Sequence, residues 1–281
     1  MGTLVTIDLA GHNSADPAID RAFAWFHEIE DHCTRFRQQS ELTQLTSHVG
    51  VPVPASAILF EAVQFALMVA QESGGAFDPT VGHRMEARGF NREHRTGEIV
   101  SNPHRPEDVS YRDVQLDPDG RTITLIRPLT LDLGAVAKGL AIDMAARELE
   151  PFKNFAIDAG GDLYLAGSNE QGCPWSVGIL HPRREGELIA SLRVSNQAVC
   201  TSGDYERGHH ILDPRTGSPS PTVASATVVA SSAMLADALA TAAFVLGPEE
   251  GIRFLERLGA DGLIVTPELE RYQTRGLCYA A

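Results

Sequence analysis

Apolar and polar positions recur along this chain with two periods, and the changes of period outline its elements. The first nine residues alternate as a half-buried strand does. Ser14-Ala15-Asp16-Pro17 then reads as a helix cap with proline in the first turn. Behind it Ile19, Phe23, Phe26, Ile29 and Cys33 recur at helical spacing and predict an amphipathic helix. Residues 34–53 read as a loop. A second helix is predicted over 56–72, stopped by Ser73-Gly74-Gly75. Residues 82–110 are rich in Arg, His and Pro, show no period, and read as a long surface loop.

From about residue 111 strands and turns take over. Strands are predicted at 122–126 and 129–133, followed by a helix from Gly134 to near Glu150. Further strands follow at 154–158, 163–166, 175–180, 189–194, 198–201 and 224–230. A helix carrying Asp237 and Thr241, a short helix over 248–258 and a strand over 262–266 complete the pattern. The order is mixed rather than a regular βαβ alternation, which favours an α+β fold. No stretch reads as an interdomain linker and no internal repeat is seen, so residues 1–281 are expected to form a single domain.

Composition narrows the function classes. The chain has 281 residues, 43% of them hydrophobic and 21% charged, which suits a globular protein with a sizeable core. Its net charge of −14 argues against sequence-independent nucleic-acid binding, which needs a basic footprint. An acidic protein that handles an anionic ligand must use local devices: a divalent cation, helix N-termini or glycine-rich backbone donors. Cys33, Cys173, Cys200 and Cys278 are scattered, fitting neither a zinc site nor a disulfide framework, and no H-E-x-x-H occurs among the ten histidines. There is no signal-peptide pattern and no apolar run of about 18 residues that would insert in a membrane, so a cytoplasmic location is expected.

The densest polar chemistry lies at 201–217, which gathers glycines, His209 and His210, and several carboxylates and arginines. His210 and its neighbour are acid–base candidates because imidazole titrates near neutrality. Asp213-Pro214-Arg215-Thr216-Gly217 reads first as a turn. Asp237 and Thr241 stand four residues apart and share a helix face, where they offer two hard oxygen ligands to Mg2+. An exposed Asp beside a Thr bonded to its own helix is the plain alternative. The run from Leu131 to Gly139 is a strand–turn–helix entry whose small residues admit a ligand, with Lys138 able to meet a phosphate, although tight packing explains its glycines equally well. Gly160-Gly161-Asp162 reads as a hairpin turn, and Ala76-Phe77-Asp78 as a helix exit.

These segments, in this order, resemble the ApbE family of FAD:protein FMN transferases. The likeness is carried by Met1-Gly2-Thr3, Ser40-Glu41-Leu42, the run from Gly74 to Gly82, the run from Asp132 to Gly139, Gly160-Gly161-Asp162, the runs 201–207 and 210–217, and the run from Ala236 to Thr241. The resemblance implies an α+β fold related to the T-fold and a Mg2+-dependent transfer of FMN from FAD to a Ser or Thr hydroxyl of a partner flavoprotein, with AMP leaving. It implies that Met1, Phe36, Ala76, Phe77, Asp78, Asp132, Lys138 and Ile211 contact FAD. The carbonyl of Ala135 and the side chains of Asp237 and Thr241 would hold Mg2+, and His210 would help deprotonate the acceptor hydroxyl. The chain departs from the family in a short link, Gly208 alone, between Arg207 and His209. Cys200 stands where alanine is common, and Asp158 where asparagine is frequent. Two other functions compete: an FAD pyrophosphatase giving FMN and AMP, and a flavin-binding protein without turnover.

Overall fold

A computed structural model describes residues 2–11, 16–94, 96–100, 108–205 and 211–280. The chain opens with strand β1 (Val5–Leu9) and helix α1 (Pro17–Cys33). Asp16 caps that helix by accepting from the Ala18 amide at 2.8 Å, and Pro17 fills the first turn, where no amide is needed. The segment 34–53, expected as a loop, contains a short helix, α2 (Glu41–Thr46). Ser40 caps it and Leu42 and Leu45 anchor it in the core, a pattern too short for periodicity to reveal. Strand β2 (Val53–Pro54) and the expected helix α3 (Ala57–Glu72) follow. Residues 82–87, expected as part of a surface loop, instead form helix α4 (Gly82–Ala87).

Strands β3 (Val114–Asp117) and β4 (Thr122–Leu125) pair with each other, and β4 also pairs with β2, as a small antiparallel sheet. Residues 129–133, expected as a strand, join no sheet. Thr130 makes a single parallel bridge to Val81, and the Asp132 amide donates to the Pro79 carbonyl at 2.7 Å. Beside them run the loop before α4 and the first residue of that helix, whose Gly82 amide donates to the Thr130 carbonyl at 3.1 Å, while Leu129, Leu131 and Leu133 plug the core. Helix α5 (Gly134–Leu149) follows directly.

The second half supplies β5 (Phe155–Ala159), β6 (Asp162–Ala166) and β9 (Gln197–Gly203) to the main sheet, a separate two-stranded hairpin of β7 (Trp175–Leu180) and β8 (Leu188–Val194), and a miniature hairpin of β10 (Leu212–Asp213) and β11 (Ser218–Pro219) beyond. Strand β12 (Ser225–Ala230), helices α6 (Ala233–Leu246) and α7 (Pro248–Arg257), and strands β13 (Asp261–Val265) and β14 (Arg271–Gln273) complete the fold. The seven-stranded sheet runs β1-β5-β6-β9-β12-β13-β14, and every adjacent pair is antiparallel. The architecture is α+β.

Side-chain alternation assigns the two faces of this sheet. Ile157, Ala198, Cys200, Ala226 and Val228 face α1, α3, α5 and α6 in one core, whereas Leu165, Val199, Val229 and Leu263 meet the β7–β8 hairpin on the other. Strand β12 is therefore buried along its whole length. The β5–β6 connection is the expected tight turn, with φ of +66° at Gly160 and +93° at Gly161, the pair of left-handed residues that a two-residue hairpin favours.

The contact that sets the site is the crossing of α5 over the start of α6. A Cβ on Gly139 would lie 2.5 Å from the Ala233 carbonyl oxygen and 2.5 Å from the Met234 amide nitrogen, so only glycine fits. One turn further along α5, Asp143 accepts from the Ala233 and Met234 amides at 2.7 and 2.9 Å and satisfies the helix N-terminus. Gly139→Ala should lower the unfolding free energy by about 2 kcal/mol or more, because backbone rather than a flexible side chain must move. Urea unfolding tests this, and an unchanged midpoint would contradict the close crossing.

Candidate active site

Two clusters of polar groups flank the N-terminus of α5. The first braces a turn. The Asp132 carboxylate accepts from the Gly134 amide at 2.8 Å and from Arg35 Nε at 2.7 Å. Arg35, 5% exposed, also donates to the Phe90 carbonyl at 2.5 Å and lies 4.2 Å over the half-buried ring of Phe36. Asp78 holds the neighbouring loop: it accepts from the Thr80 amide and hydroxyl at 2.9 and 2.7 Å and from the Tyr111 amide at 2.9 Å. Burial raises the pKa of Asp78, and those hydrogen bonds oppose the rise. Ala76 and Phe77 are buried beside it. The amide of Asp132 joins the two braces through the Pro79 carbonyl. The Arg35–Asp132 brace, with Phe36 under the guanidinium, is thus joined to the loop that Asp78 holds beside Ala76 and Phe77.

Helix α5 itself starts irregularly. Ala135 has φ −91° and ψ 17°, and the Val136 and Ala137 amides both donate to the Leu133 carbonyl at 3.0 and 2.8 Å. The peptide after Ala135 is therefore turned out of the helical direction, which leaves its carbonyl oriented unlike those of the regular ladder. Ile211 is buried at the head of the β10–β11 hairpin, which Arg84 of α4 ties down through a 2.6 Å bond to the Pro214 carbonyl. Met1 and His210 lie outside the described residues.

The second cluster sits between α5, α6 and the ends of β6 and β9. Lys138 forms an ion pair with Asp162, whose carboxylate is 3% exposed. Asp162 also accepts from the Thr201 amide at 3.4 Å. Asp237 is buried on α6 and acts electrostatically on the same ammonium. One turn on, the Thr241 hydroxyl lies 3.2 Å from that of Ser202. Burial works to lower the Lys138 pKa, but Asp237 and then Asp162 outweigh it and hold the ammonium well above the usual lysine range. The Cys200 thiol, on the cluster's floor, is pushed well up by burial and then by the same two carboxylates.

The donor chemistry fits a hard divalent cation. Two carboxylates against one ammonium leave a negative charge in excess, and the Asp237 carboxylate, Thr241 hydroxyl and Ala135 carbonyl are all oxygen donors. Among the described residues no three His, Cys, Asp or Glu side chains gather as a metal cluster, so a cation here must draw on hydroxyl and backbone oxygens. A cavity of about 520 Å³ lies on a different side of α5, lined by Asp143, Arg147, Lys153 and Tyr164, and contains none of the predicted site residues.

Sequence reasoning missed Asp162 as the partner of Lys138 and Arg35 as the partner of Asp132. Alternation could have found the first: Asp162, Cys200 and Ser202 occupy the helix-facing positions of β6 and β9. Arg35 gave no such signal, since its partners are 55 and 97 residues away.

An antiparallel α+β sheet thus carries, at a helix crossing, a half-buried ammonium beside hard oxygen donors. The sequence profile of the ApbE family matches residues 1–264, and the chain belongs to that family. It is 30% identical over 263 residues to the FAD:protein FMN transferase of Vibrio cholerae, spanning 88% of this chain and 78% of the relative. It is 32% identical over 287 residues to the one from Treponema pallidum, spanning 89% and 77%. The ApbE protein of Thermotoga maritima superposes with a TM-score of 0.83 at 28% identity over 97% of each chain. The flavin transferase ApbE from Vibrio cholerae gives 0.84 at 27% identity over 98% and 94%.

The thiols offer a direct check on how the site is buried. Burial, with Glu41 adding to it, pushes Cys33 up to about 12. In the native protein a thiol reagent should modify the exposed Cys173 and Cys278 and spare Cys33 and Cys200 until denaturant is added. Rapid labelling of Cys200 without denaturant would contradict the arrangement.

Proposed function

We propose that this protein transfers FMN from FAD to a Ser or Thr hydroxyl of a partner flavoprotein, in a Mg2+-dependent reaction that releases AMP. The observation that carries this reading is the half-buried Lys138 ammonium, paired with Asp162 beside hard oxygen donors, in a chain whose relatives are FAD:protein FMN transferases. Phosphoryl transfer asks a protein for positioning and charge neutralisation more than for covalent help. Lys138, permanently charged and held in place, suits the pyrophosphate of FAD. Phe36, Ala76, Phe77 and Ile211 supply apolar surface, and the Asp78 and Asp132 braces fix the turns that present it. Asp237, Thr241 and the Ala135 carbonyl would hold Mg2+, which supplies a further positive charge at the pyrophosphate.

The acceptor hydroxyl oxygen forms a bond to the FMN-side phosphorus as the bond to the AMP oxygen breaks. His210 takes the hydroxyl proton as general base, and AMP departs with the electron pair of the broken bond.

The test is AMP release from FAD and Mg2+, with and without an acceptor domain, alongside in-gel flavin fluorescence. Covalent fluorescence on the acceptor together with AMP is expected; AMP and free FMN without any acceptor would instead identify a pyrophosphatase. Asp237→Ala should cut Mg2+-dependent turnover at least about a hundredfold, and full activity in that variant would remove the metal assignment. His210→Ala should still bind FAD but transfer FMN at least about a hundredfold more slowly, whereas an unchanged rate would remove it as base.

A further inference from the structure

Two of the residues that the flavin transferase reading sets against FAD, Phe36 and Asp132, come from distant parts of the chain, and one buried side chain touches both. Arg35 is 5% exposed. Its Nε donates to Asp132 Oδ2 at 2.7 Å and its Nη2 to the Phe90 carbonyl at 2.5 Å, while Nη1 lies 3.5 Å from a carboxylate oxygen of Glu86. The guanidinium carbon stands 4.2 Å from the centre of the Phe36 ring. A guanidinium is planar, and its N–H donors leave along its edges in fixed directions. The edge contacts therefore fix the plane, and the plane fixes the face on which Phe36 rests.

The backbone that carries the pair is tied as well. Ser40 Oγ donates to the Thr34 carbonyl at 2.5 Å and caps α2, which closes residues 34–40 into a loop between α1 and α2. On the far side, the second oxygen of the same Asp132 carboxylate accepts from the Gly134 amide at 2.8 Å, at the first residue of α5. A continuous path of contacts thus runs from the Phe36 ring through Arg35 and Asp132 to the helix that carries Ala135 and Lys138. With one face of Phe36 against the guanidinium, only the opposite face can receive a planar ring.

We propose that Arg35 is a positioning residue for the dinucleotide. Acting through Phe36 and Asp132 rather than on FAD itself, it holds an aromatic face and the entry to α5 at one spacing, so that a single ligand meets both. This rests on the flavin transferase reading above. Lysine cannot take its place: an ammonium is a point charge that can pair with Asp132 but presents no flat face to Phe36.

FAD binding to the full chain, read by flavin fluorescence anisotropy with EDTA present to stop turnover, tests the idea. Arg35→Lys keeps a positive charge beside Asp132 and Glu86 and should weaken FAD binding at least about tenfold. Phe36→Leu keeps apolar bulk, leaves Arg35 in place and should weaken binding by a similar factor. Because one residue acts through the other, the double variant should bind FAD within about threefold of the weaker single variant. A purely structural Arg35 predicts a lowered melting temperature with unchanged FAD affinity in the folded protein, and that result would overturn the proposal. Losses that multiply in the double variant would overturn it too, since Arg35 would then not act through the ring. Phe36→Leu disturbs no buried charge, so unchanged FAD affinity there overturns the proposal even if Arg35→Lys does not fold. FAD bound equally well by every variant removes this proposal alone. No FAD binding by the unsubstituted protein, with or without Mg2+, would overturn the flavin reading and the proposal with it.

Discussion

The site depends on how closely α5 and α6 approach. Where Gly139 meets the backbone of Ala233 and Met234 there is no room for a side chain, so the two helices cross at a fixed point. Lys138 lies one residue earlier on α5, and Asp237, the fifth residue of α6, acts electrostatically on its ammonium. Asp143 locks the same crossing from the other side by capping the amides of α6. Helix packing and site chemistry are one constraint here, because a looser crossing would let the ammonium and the carboxylates drift apart in a medium where an unpaired charge is expensive.

A net charge of −14 repels a flavin dinucleotide at long range. The fold resolves this locally rather than globally. It half-buries one ammonium whose charge is secured by two carboxylates, with hard oxygen donors on an adjoining helix face. The remaining polar groups near α5 do a different job. Asp78, Asp132 and Arg35 bond loop backbone, and Arg35 also pairs with Asp132, so the turns beside α5 are stiffened by side chains belonging to separate parts of the chain. Rigid positioning of this kind is what a phosphoryl-transfer site requires.

Much of the fold could be read from the sequence because it obeys simple periods. Helices α1 and α3 follow apolar spacing and clear caps, and the antiparallel strands after residue 154 follow alternation between punctuating turns. The short elements escaped for physical reasons. Helix α2 rests on one serine cap and two buried leucines, and residues 129–133 look like a strand yet find no strand beside them. At the site, Asp237 and Thr241 were legible because four-residue spacing puts them on one helix face. The partner of Lys138 was missed because the Gly160-Gly161-Asp162 run was read as a turn; the alternation of β6, which places Asp162 on the helix-facing side, carries the signal.

The most direct test of the account is the location of the cation. Crystals grown with Mn2+ and FAD, with data collected at the manganese absorption edge, should show an anomalous peak among the Ala135 carbonyl, the Asp237 carboxylate and the Thr241 hydroxyl, beside the flavin dinucleotide pyrophosphate. Bound FAD with manganese elsewhere, or with no manganese near α5 and α6, would contradict the claim that this helix crossing is a metal-assisted phosphoryl-transfer site.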